Sequence, residues 1–235
     1  MGERILVAWS GGKDSALALH KVLRDSEFVV AALLTTVTQG YDRVSMHGVR
    51  EELLDQQAQS LGFAIEKVRI PQRASTEQYG AKMREALEKY LAQGVRRVAF
   101  GDVFLEDVRA YRQENLARVG MEGVFPVWGI DSKELMRRFL DLGFRAVVTC
   151  VDTAALAREF AGREIDESFL QDLPETADPC GENGEYHSFV YAGPILRKPI
   201  RFRKGEVVLR ENRFYYCELT PWAPGSDASE RGARS

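Results

Sequence analysis

VAWSGGKDS, at residues 7–15, joins the end of a short apolar run to the start of a helical pattern. Two successive glycines let the backbone turn tightly and bring its N–H groups close to an anion, and the N-terminus of the following helix adds positive potential. Lys13 supplies a point charge at the same place. These residues predict a phosphate-binding turn between a strand and a helix.

The spacing of this turn separates it from other phosphate-binding loops. A Walker loop has the form G-x-x-x-x-G-K-[ST], but here Lys13 directly follows Gly12 and no glycine precedes it at the required distance. A kinase or GTPase of that type is therefore excluded. SGGKDS, at residues 10–15, instead resembles the PP-loop of ATP pyrophosphatases, which implies that ATP is cleaved between its α and β phosphates. An ordinary glycine turn capped by Ser or Asp is the alternative.

Strand and helix patterns alternate along the first half of the chain. Four apolar runs predict buried strands, at residues 5–8, 29–34, 64–70 and 95–100. The alternation predicts an α/β fold, with a parallel sheet, helices on both faces and ligands at the carboxyl ends of the strands. We therefore expect the pairs Thr35-Thr36 and Gly101-Asp102 to face the same crevice as the turn.

The character of the sequence changes after about residue 128. A helix over 132–140, a strand over 145–151 and a β-hairpin over 201–219 follow. They predict a smaller α+β domain at residues 129–221, behind an ATP-binding domain at residues 1–128. Residues 222–235 lack periodicity, and we expect them to be a disordered tail.

The composition of the 235 residues is that of a globular enzyme. Because there is neither a membrane-length apolar run nor a signal-peptide pattern, we expect a cytoplasmic protein that does not bind membranes. The net charge of −3 argues against nucleic acid as the main partner. The three cysteines are far apart, which fits a reducing compartment. Assembly into a homo-oligomer is left open.

A second polar cluster is DPCGENGEYHS, at residues 178–188. It places carboxylates, a thiol and an imidazole in a short span that has no strand or helix pattern before Tyr186. Glycine flexibility would let Glu182 and Glu185 converge, where they could hold a cation, accept protons from an amine or hydrogen-bond a substrate. A solvated acidic surface loop is the alternative.

Five segments together resemble the diphthine ammonia ligase family: SGGKDS at 10–15, MHGVR at 46–50, LGFRAVV at 142–148, AGREI at 161–165 and CGENGEYH at 180–187. The resemblance implies a Rossmann-like sheet of the adenine nucleotide alpha hydrolase type with a second domain. It also implies a ligase that adenylates a carboxylate with ATP and lets ammonia displace AMP to form an amide. In the founding members the carboxylate belongs to diphthine, a modified histidine on a translation elongation factor. The run at 101–109 departs from the family pattern, which makes this chain a divergent member.

The resemblance and the motifs together assign roles to individual residues. ATP would be bound by Ser10, Gly11, Gly12, Lys13, Asp14, Ser15, Thr35, Gly101 and Asp102. Catalysis would be carried out by Lys13, Asp14, Glu182, Glu185 and His187. Mg²⁺ would bridge the phosphates, with Asp14 and Asp102 as partners for the metal or its waters. An acceptor carboxylate, which a protein could carry, would contact His47, Arg109, Arg112 and Cys180.

Two other function classes use the same nucleotide-binding turn. A PP-loop sulfurtransferase that modifies tRNA would also adenylate its substrate, but it would normally have paired cysteines and a basic surface. A nucleotide-binding sensor would hold ATP or AMP without net chemistry. Of the three function classes, the amide ligase accounts for both the PP-loop and the CGENGEYH segment, and it is therefore the leading hypothesis.

Overall fold

The computed structural model describes residues 2–40, 43–44 and 48–222, with the backbone alone at 43–44. His47, expected to contact substrate, and residues 223–235 of the expected tail lie outside the described residues. Each helix in the described ranges is too short or too polar to cross a membrane.

The first half of the chain forms the predicted α/β sheet. Its elements are β1 (Glu3–Ala8), α1 (Lys13–Arg24), β2 (Phe28–Thr38), β3 (Arg43–Val44), α2 (Glu51–Leu61), β4 (Ile65–Ile70), α3 (Thr76–Leu91), β5 (Arg97–Ala99), α4 (Glu106–Ala117) and β6 (Glu122–Val124). Five strands run parallel in the order β4-β2-β1-β5-β6, and the short β3 pairs antiparallel with the end of β2. The Rossmann-like fold class is confirmed.

Successive residues of β1 point to opposite faces of the sheet, as strand geometry requires. Ile5 and Val7 pack in one hydrophobic cluster with apolar residues of α1 and α2. Leu6 packs in a second cluster with Leu87 of α3 and Leu116 of α4. Helices therefore cover both faces, as predicted, and the carboxyl ends of β1, β2 and β5 are left as a crevice between the two layers.

The second half adds an antiparallel sheet. Its elements are α5 (Ser132–Asp141), β7 (Arg145–Asp152), a 3₁₀ turn (Arg158–Phe160), α6 (Glu167–Asp172), β8 (Tyr186–Ala192), β9 (Phe202–Arg210) and β10 (Phe214–Pro221). The strand order is β8-β7-β10-β9, and β9 and β10 form the predicted hairpin. The smaller α+β region is thus confirmed.

The two sheets share a hydrophobic core on the α1 and α2 side. Leu17 of α1 belongs to the same cluster of buried residues as Val147 of β7 and Phe189 of β8. The backbone N–H of Val190 also donates to the carbonyl of Gly11, over 2.9 Å. The division at residues 128 and 129 stays a prediction, because the second sheet is packed directly onto the turn at residues 10–15.

Candidate active site

A pocket of about 480 Å³ lies at the carboxyl ends of the central strands. The PP-loop, the ends of β2 and β5, helix α3 and residues 181–188 form its walls. Ten of the residues with predicted roles line it: Ser10, Lys13, Asp14, Ser15, Thr35, Gly101, Asp102, Arg112, Glu182 and His187. The structure therefore brings the two polar segments of the sequence, more than 160 residues apart, into one site.

The PP-loop is held by its own hydroxyl groups. Gly11 has a φ of 80°, which favours glycine, and Gly12 is the extended residue that precedes α1. The Ser10 Oγ accepts the N–H of Gly12 over 3.2 Å, and the Ser15 hydroxyl donates to the Gly12 carbonyl over 2.9 Å. The N–H of Lys13 donates to the Ser188 Oγ of β8 over 3.2 Å. Strand β8 thus supports the turn directly.

Gln57 of α2 holds the turn from behind. Its side chain is completely buried. The Nε2 atom donates to the carbonyls of Gly11, over 3.0 Å, and Val190, over 2.6 Å, while Oε1 accepts the Trp9 indole N–H over 3.0 Å. One amide therefore links β1, the PP-loop and β8.

Lys13 is the buried cation of the site, with only 2% of its surface exposed. Its Nζ donates to Asp14 Oδ2 over 2.9 Å and lies 4.8 Å from the centre of the Tyr186 ring. Burial alone would lower the pKa of Lys13, but its neighbouring acidic groups, Asp14 first among them, outweigh burial, so the pKa is raised and the amine stays protonated. Burial also raises the pKa of Asp14, against the effect of the Lys13 charge. The other carboxylate oxygen of Asp14, Oδ1, is buried without a hydrogen-bond partner in the described part of the chain.

Glu182 lines the same pocket. Its Oε1 accepts the backbone N–H of Val103 over 2.8 Å, which fixes its position. Burial raises the pKa of Glu182 to about 7, and the negative charges of Asp14 and Asp102 also favour the protonated form. The Val103 N–H and the charge of Lys13 act in the opposite direction. This carboxyl group can therefore gain or lose a proton at neutral pH.

Glu185 has a different environment from Glu182. It is buried, and the structure places it outside the pocket lining. Its Oε1 accepts the N–H of Asp178 over 2.9 Å and the side-chain amide of Asn183 over 3.0 Å. Asp178 in turn accepts the N–H of Glu182 over 3.0 Å. In this position Glu185 shapes the loop that carries Glu182, and its predicted catalytic role stays untested.

His187 and Cys180 flank this loop. His187 lines the pocket, and burial, together with the charge of Lys13, lowers the pKa of its imidazole to about 4. Cys180 is buried outside the lining, and its thiol donates to the Ser132 carbonyl over 3.4 Å. Burial raises the pKa of Cys180, so it stays a thiol. All three cysteines are free and buried, and none of them lines the pocket.

The side chains of the two arginines of α4 lie in different places in the structure. Arg112 lines the pocket and clamps Asp102 with Nε and Nη2, over 2.5 and 3.0 Å, while its guanidinium lies 4.6 Å from the Phe100 ring centre. Arg109 instead lies 4.6 Å from the ring centre of Trp128, outside the pocket lining. Residues three apart share a helix face, but different aromatic neighbours direct these two side chains apart.

The predicted metal ligands are both engaged with cations. Asp14 pairs with Lys13, and Asp102 with Arg112. Among the described residues, the structure contains no group of three His, Cys, Asp or Glu side chains suited to a metal ion. The described residues therefore do not form a metal site of their own, and the assignment of Mg²⁺ to Asp14 and Asp102 stays a prediction.

Sequence reasoning missed several residues of the site. On the side facing α3 the pocket is lined by Leu34, Tyr79, Met83 and Phe100, beside Thr36, which was expected there. A capping box between Ser75 and Gln78 fixes the start of α3 and so the position of Tyr79. Tyr186, Ser188 and Gln57 were also missed. Only Gln57 had a readable signal, because it is a polar residue four positions from Leu53 and Leu61 on the apolar stripe of α2.

Gly101 offers a direct test of how the site is packed. A Cβ atom at this position would lie 2.7 Å from the carbonyl carbon of Asp14 and 2.8 Å from the backbone nitrogen of Ser15. Gly101→Ala must therefore displace the start of α1, and overpacking of this kind costs about 1–3 kcal/mol. We expect a lower urea midpoint and weaker ATP binding in a titration.

The matched control is Gly80→Ala in α3, where a Cβ atom would meet open space. Alanine is favoured over glycine inside a helix by about 0.5–1 kcal/mol, so this variant should be as stable as the parent or slightly more so. Equal ATP affinity and stability for Gly101→Ala and the parent would show that Gly101 does not pack against α1 as described.

Two family models match the chain. One, described as the diphthamide synthase N-terminal domain, matches residues 3–123, and the other, described as the diphthamide synthase C-terminal domain, matches residues 131–219. A diphthine-ammonia ligase of Schizosaccharomyces pombe is 25% identical over 225 residues, which cover 87% of this chain and 37% of that protein. One of Homo sapiens is 27% identical over 111 residues, which cover 45% of this chain and 42% of that protein. The chain thus spans about two fifths of the length of these curated relatives.

A solved structure from Methanocaldococcus jannaschii, described as a predicted subunit of a tRNA methyltransferase, is also similar. It shares 17% sequence identity and a TM-score of 0.43, covering 84% of this chain and 100% of its own.

Proposed function

The chain belongs to the diphthamide synthase family, and on that premise we propose that it is an ATP-dependent amide ligase. In this reaction a carboxylate of the acceptor attacks the α phosphate of ATP, pyrophosphate leaves, and ammonia then displaces AMP to give an amide. The observation that carries the proposal is the buried side chain of Lys13, which lines the pocket at the start of α1.

The PP-loop would bind the phosphates. The Gly12 and Lys13 N–H groups donate to the hydroxyl oxygens of Ser10 and Ser188, and phosphate oxygens could replace these acceptors when ATP binds. Lys13 would place its charge where negative charge grows on the phosphorus oxygens and on the leaving pyrophosphate. Mg²⁺ would enter bound to the triphosphate oxygens and neutralise part of that charge.

The side of the pocket facing α3 would hold the adenine. Leu34 and Phe100 belong to one hydrophobic cluster, and Tyr79 and Met83 pack against it. Apolar walls with a few polar groups are typical of small-molecule pockets, and here the Thr35 and Thr36 hydroxyls are the nearby polar groups. This arrangement would direct the triphosphate toward the PP-loop.

The acceptor and the nitrogen donor are proposed from the relatives. Two of them are named diphthine-ammonia ligase, so diphthine on a protein is the first acceptor to test and ammonia the first donor. Of the two arginines expected to contact substrate, we propose Arg112, because it lines the pocket. The cytoplasm is the proposed compartment.

Oxygen transfer tests the adenylation step. A protein carrying diphthine would be labelled with ¹⁸O in its carboxylate and incubated with Mg-ATP, ammonium and the enzyme. We expect one ¹⁸O atom in the phosphate of AMP for each amide formed, because the carboxylate oxygen bonds to phosphorus and leaves with AMP. Amide formation without label in AMP would rule out the acyl adenylate.

A further inference from the structure

Glu182 is placed to act on a molecule inside the pocket. Glu182 lines the cavity from the loop that precedes β8, and the Val103 N–H holds one oxygen of its carboxylate at 2.8 Å. The backbone N–H of Glu182 is itself bound by Asp178, over 3.0 Å. Both ends of the residue are therefore fixed, as expected of a group that must meet a substrate in one orientation.

The charges around Glu182 favour a small cation beside it. From α1 it faces Asp14 and Lys13, and from the segment after β5 it faces Asp102, which Arg112 neutralises. The neighbouring imidazole of His187 is neutral at physiological pH. Asp14 also has a buried oxygen, Oδ1, with no hydrogen-bond partner in the described ranges. Of the carboxylates that line the pocket in the described ranges, Asp14 is thus paired with Lys13 and Asp102 with Arg112, whereas Glu182 is bound by a backbone N–H and not by a lysine or arginine.

We propose that Glu182 is the base that takes a proton from ammonium, so that the nitrogen substrate enters the pocket as a cation and becomes a nucleophile there. The inference rests on the proposed amide ligase function. At neutral pH nearly all ammonia in water is ammonium, which has no lone pair and cannot attack the acyl adenylate. A base inside the pocket would release ammonia next to the acyl carbon and away from competing water.

The other titratable groups are less suited to this step. His187 has a pKa of about 4, which makes it a weak base. Asp14 and Asp102 are paired with Lys13 and Arg112, and Glu185 lies outside the lining. Glu182 has a pKa of about 7, which matches the pH at which it would work.

The step balances in atoms and charge. The Glu182 carboxylate takes one proton from ammonium, and the freed lone pair of nitrogen forms the C–N bond to the acyl carbon. The bond from that carbon to the AMP oxygen breaks, and its electron pair leaves with AMP. The attacking nitrogen then loses a second proton, which the AMP phosphate accepts, and Glu182 returns its proton to water. The products are the amide and AMP.

The first test needs no acceptor. In the protein labelled with ¹³C at glutamate carboxyl carbons, the Glu182 signal would be assigned from its absence in Glu182→Gln and followed with pH. We expect a midpoint near pH 7. Ammonium should lower this midpoint relative to the same concentration of tetramethylammonium, because a bound cation stabilises the carboxylate. A midpoint in the ordinary glutamate range, or no difference between the two salts, would overturn the proposal.

The second test compares ammonium with another nucleophile, hydroxylamine. Hydroxylamine is a much weaker base than ammonia and is largely unprotonated at neutral pH, so it does not need Glu182. With Mg-ATP and a protein carrying diphthine, Glu182→Gln should lose about 10²–10⁴-fold in kcat/KM for ammonium, the usual contribution of a general base. Hydroxamate formation from hydroxylamine should stay near the parent rate. The glutamine oxygen can still accept the Val103 N–H, and exposed Glu175→Gln serves as the matched control.

The outcomes distinguish a failure of the proposed role of Glu182 from a failure of the amide ligase function on which it rests. A parent enzyme that forms neither amide nor AMP would contradict the proposed function with this acceptor, while the carboxyl titration would still decide whether Glu182 binds ammonium. An active parent whose Glu182→Gln variant loses ammonium and hydroxylamine reactions equally would overturn the role of Glu182 as base and leave the ligase function standing.

Discussion

Replacing Lys13 with methionine is expected to lower kcat for ATP cleavage by about 10²–10³-fold, the usual cost of losing one charge-stabilising donor in a transition state. The effect arises because Lys13 is 2% exposed and stays protonated beside Asp14, so water cannot replace its charge. ATP binding should fall much less, since the N–H groups of the turn remain. Steady-state kinetics and calorimetric ATP titration measure the two effects separately.

The controls for this variant address folding and charge. Lys13→Met leaves the buried side of Asp14 without its partner, so Lys13→Met combined with Asp14→Asn removes the unpaired charge and should unfold at a higher urea concentration than Lys13→Met alone. Lys21→Met, on an exposed lysine of the same helix, should leave turnover unchanged. Equal losses of kcat and of ATP affinity in Lys13→Met would mean that Lys13 binds nucleotide without favouring the transition state.

Gln57→Leu is expected to destabilise the protein by about 2 kcal/mol or more, because buried polar groups left without partners cost about 1–3 kcal/mol each. Leucine has a similar size, but it removes the Gln57 partner of the Val190 carbonyl and of the Trp9 indole N–H, while the Gly11 carbonyl keeps the N–H of Val190. The PP-loop and β8 lose their shared support, so ATP affinity should fall as well. Urea unfolding gives the free energy change.

Gln59→Leu is the matched control, since Gln59 is exposed on the same helix. Surface changes of this kind usually stay within about 0.5 kcal/mol. If Gln57→Leu does not fold, Gln57→Glu keeps the side-chain shape and the Trp9 acceptor but removes the donor to both carbonyls. Stability unchanged by both Gln57 variants would contradict the account of how the turn is held.

The parallel sheet was predictable because its signals are local. Each of these signals can be read from a few neighbouring residues: the apolar runs of β1 and β2, the end of α2 before Gly62, and the SGGKDS turn. Strands β3 and β6 were not predictable, since they have two and three residues and lack an apolar run. Strand β5 is also shorter than the apolar run at residues 95–100 that predicted it, because only three residues of that run pair with β1.

The composition of the site was predictable, whereas its geometry was not. The PP-loop residues are contiguous in sequence, but Ser188 reaches the Lys13 N–H across 175 positions of chain, which no local pattern reveals. Glu182 and Glu185 also look alike in sequence. Which of them faces the pocket depends on the backbone between Gly181 and Gly184, both at positive φ, and on packing against Tyr186.

The most direct test of the account is the identity of the products from ATP. Purified protein would be incubated with Mg-ATP and ammonium, with and without a protein carrying diphthine, and AMP plus pyrophosphate would be separated from ADP plus phosphate. We expect AMP and pyrophosphate in equal amounts, formed only when the acceptor is present. ADP and phosphate, or tight ATP binding without cleavage in the presence of the acceptor, would contradict the assignment of this pocket as an adenylating site.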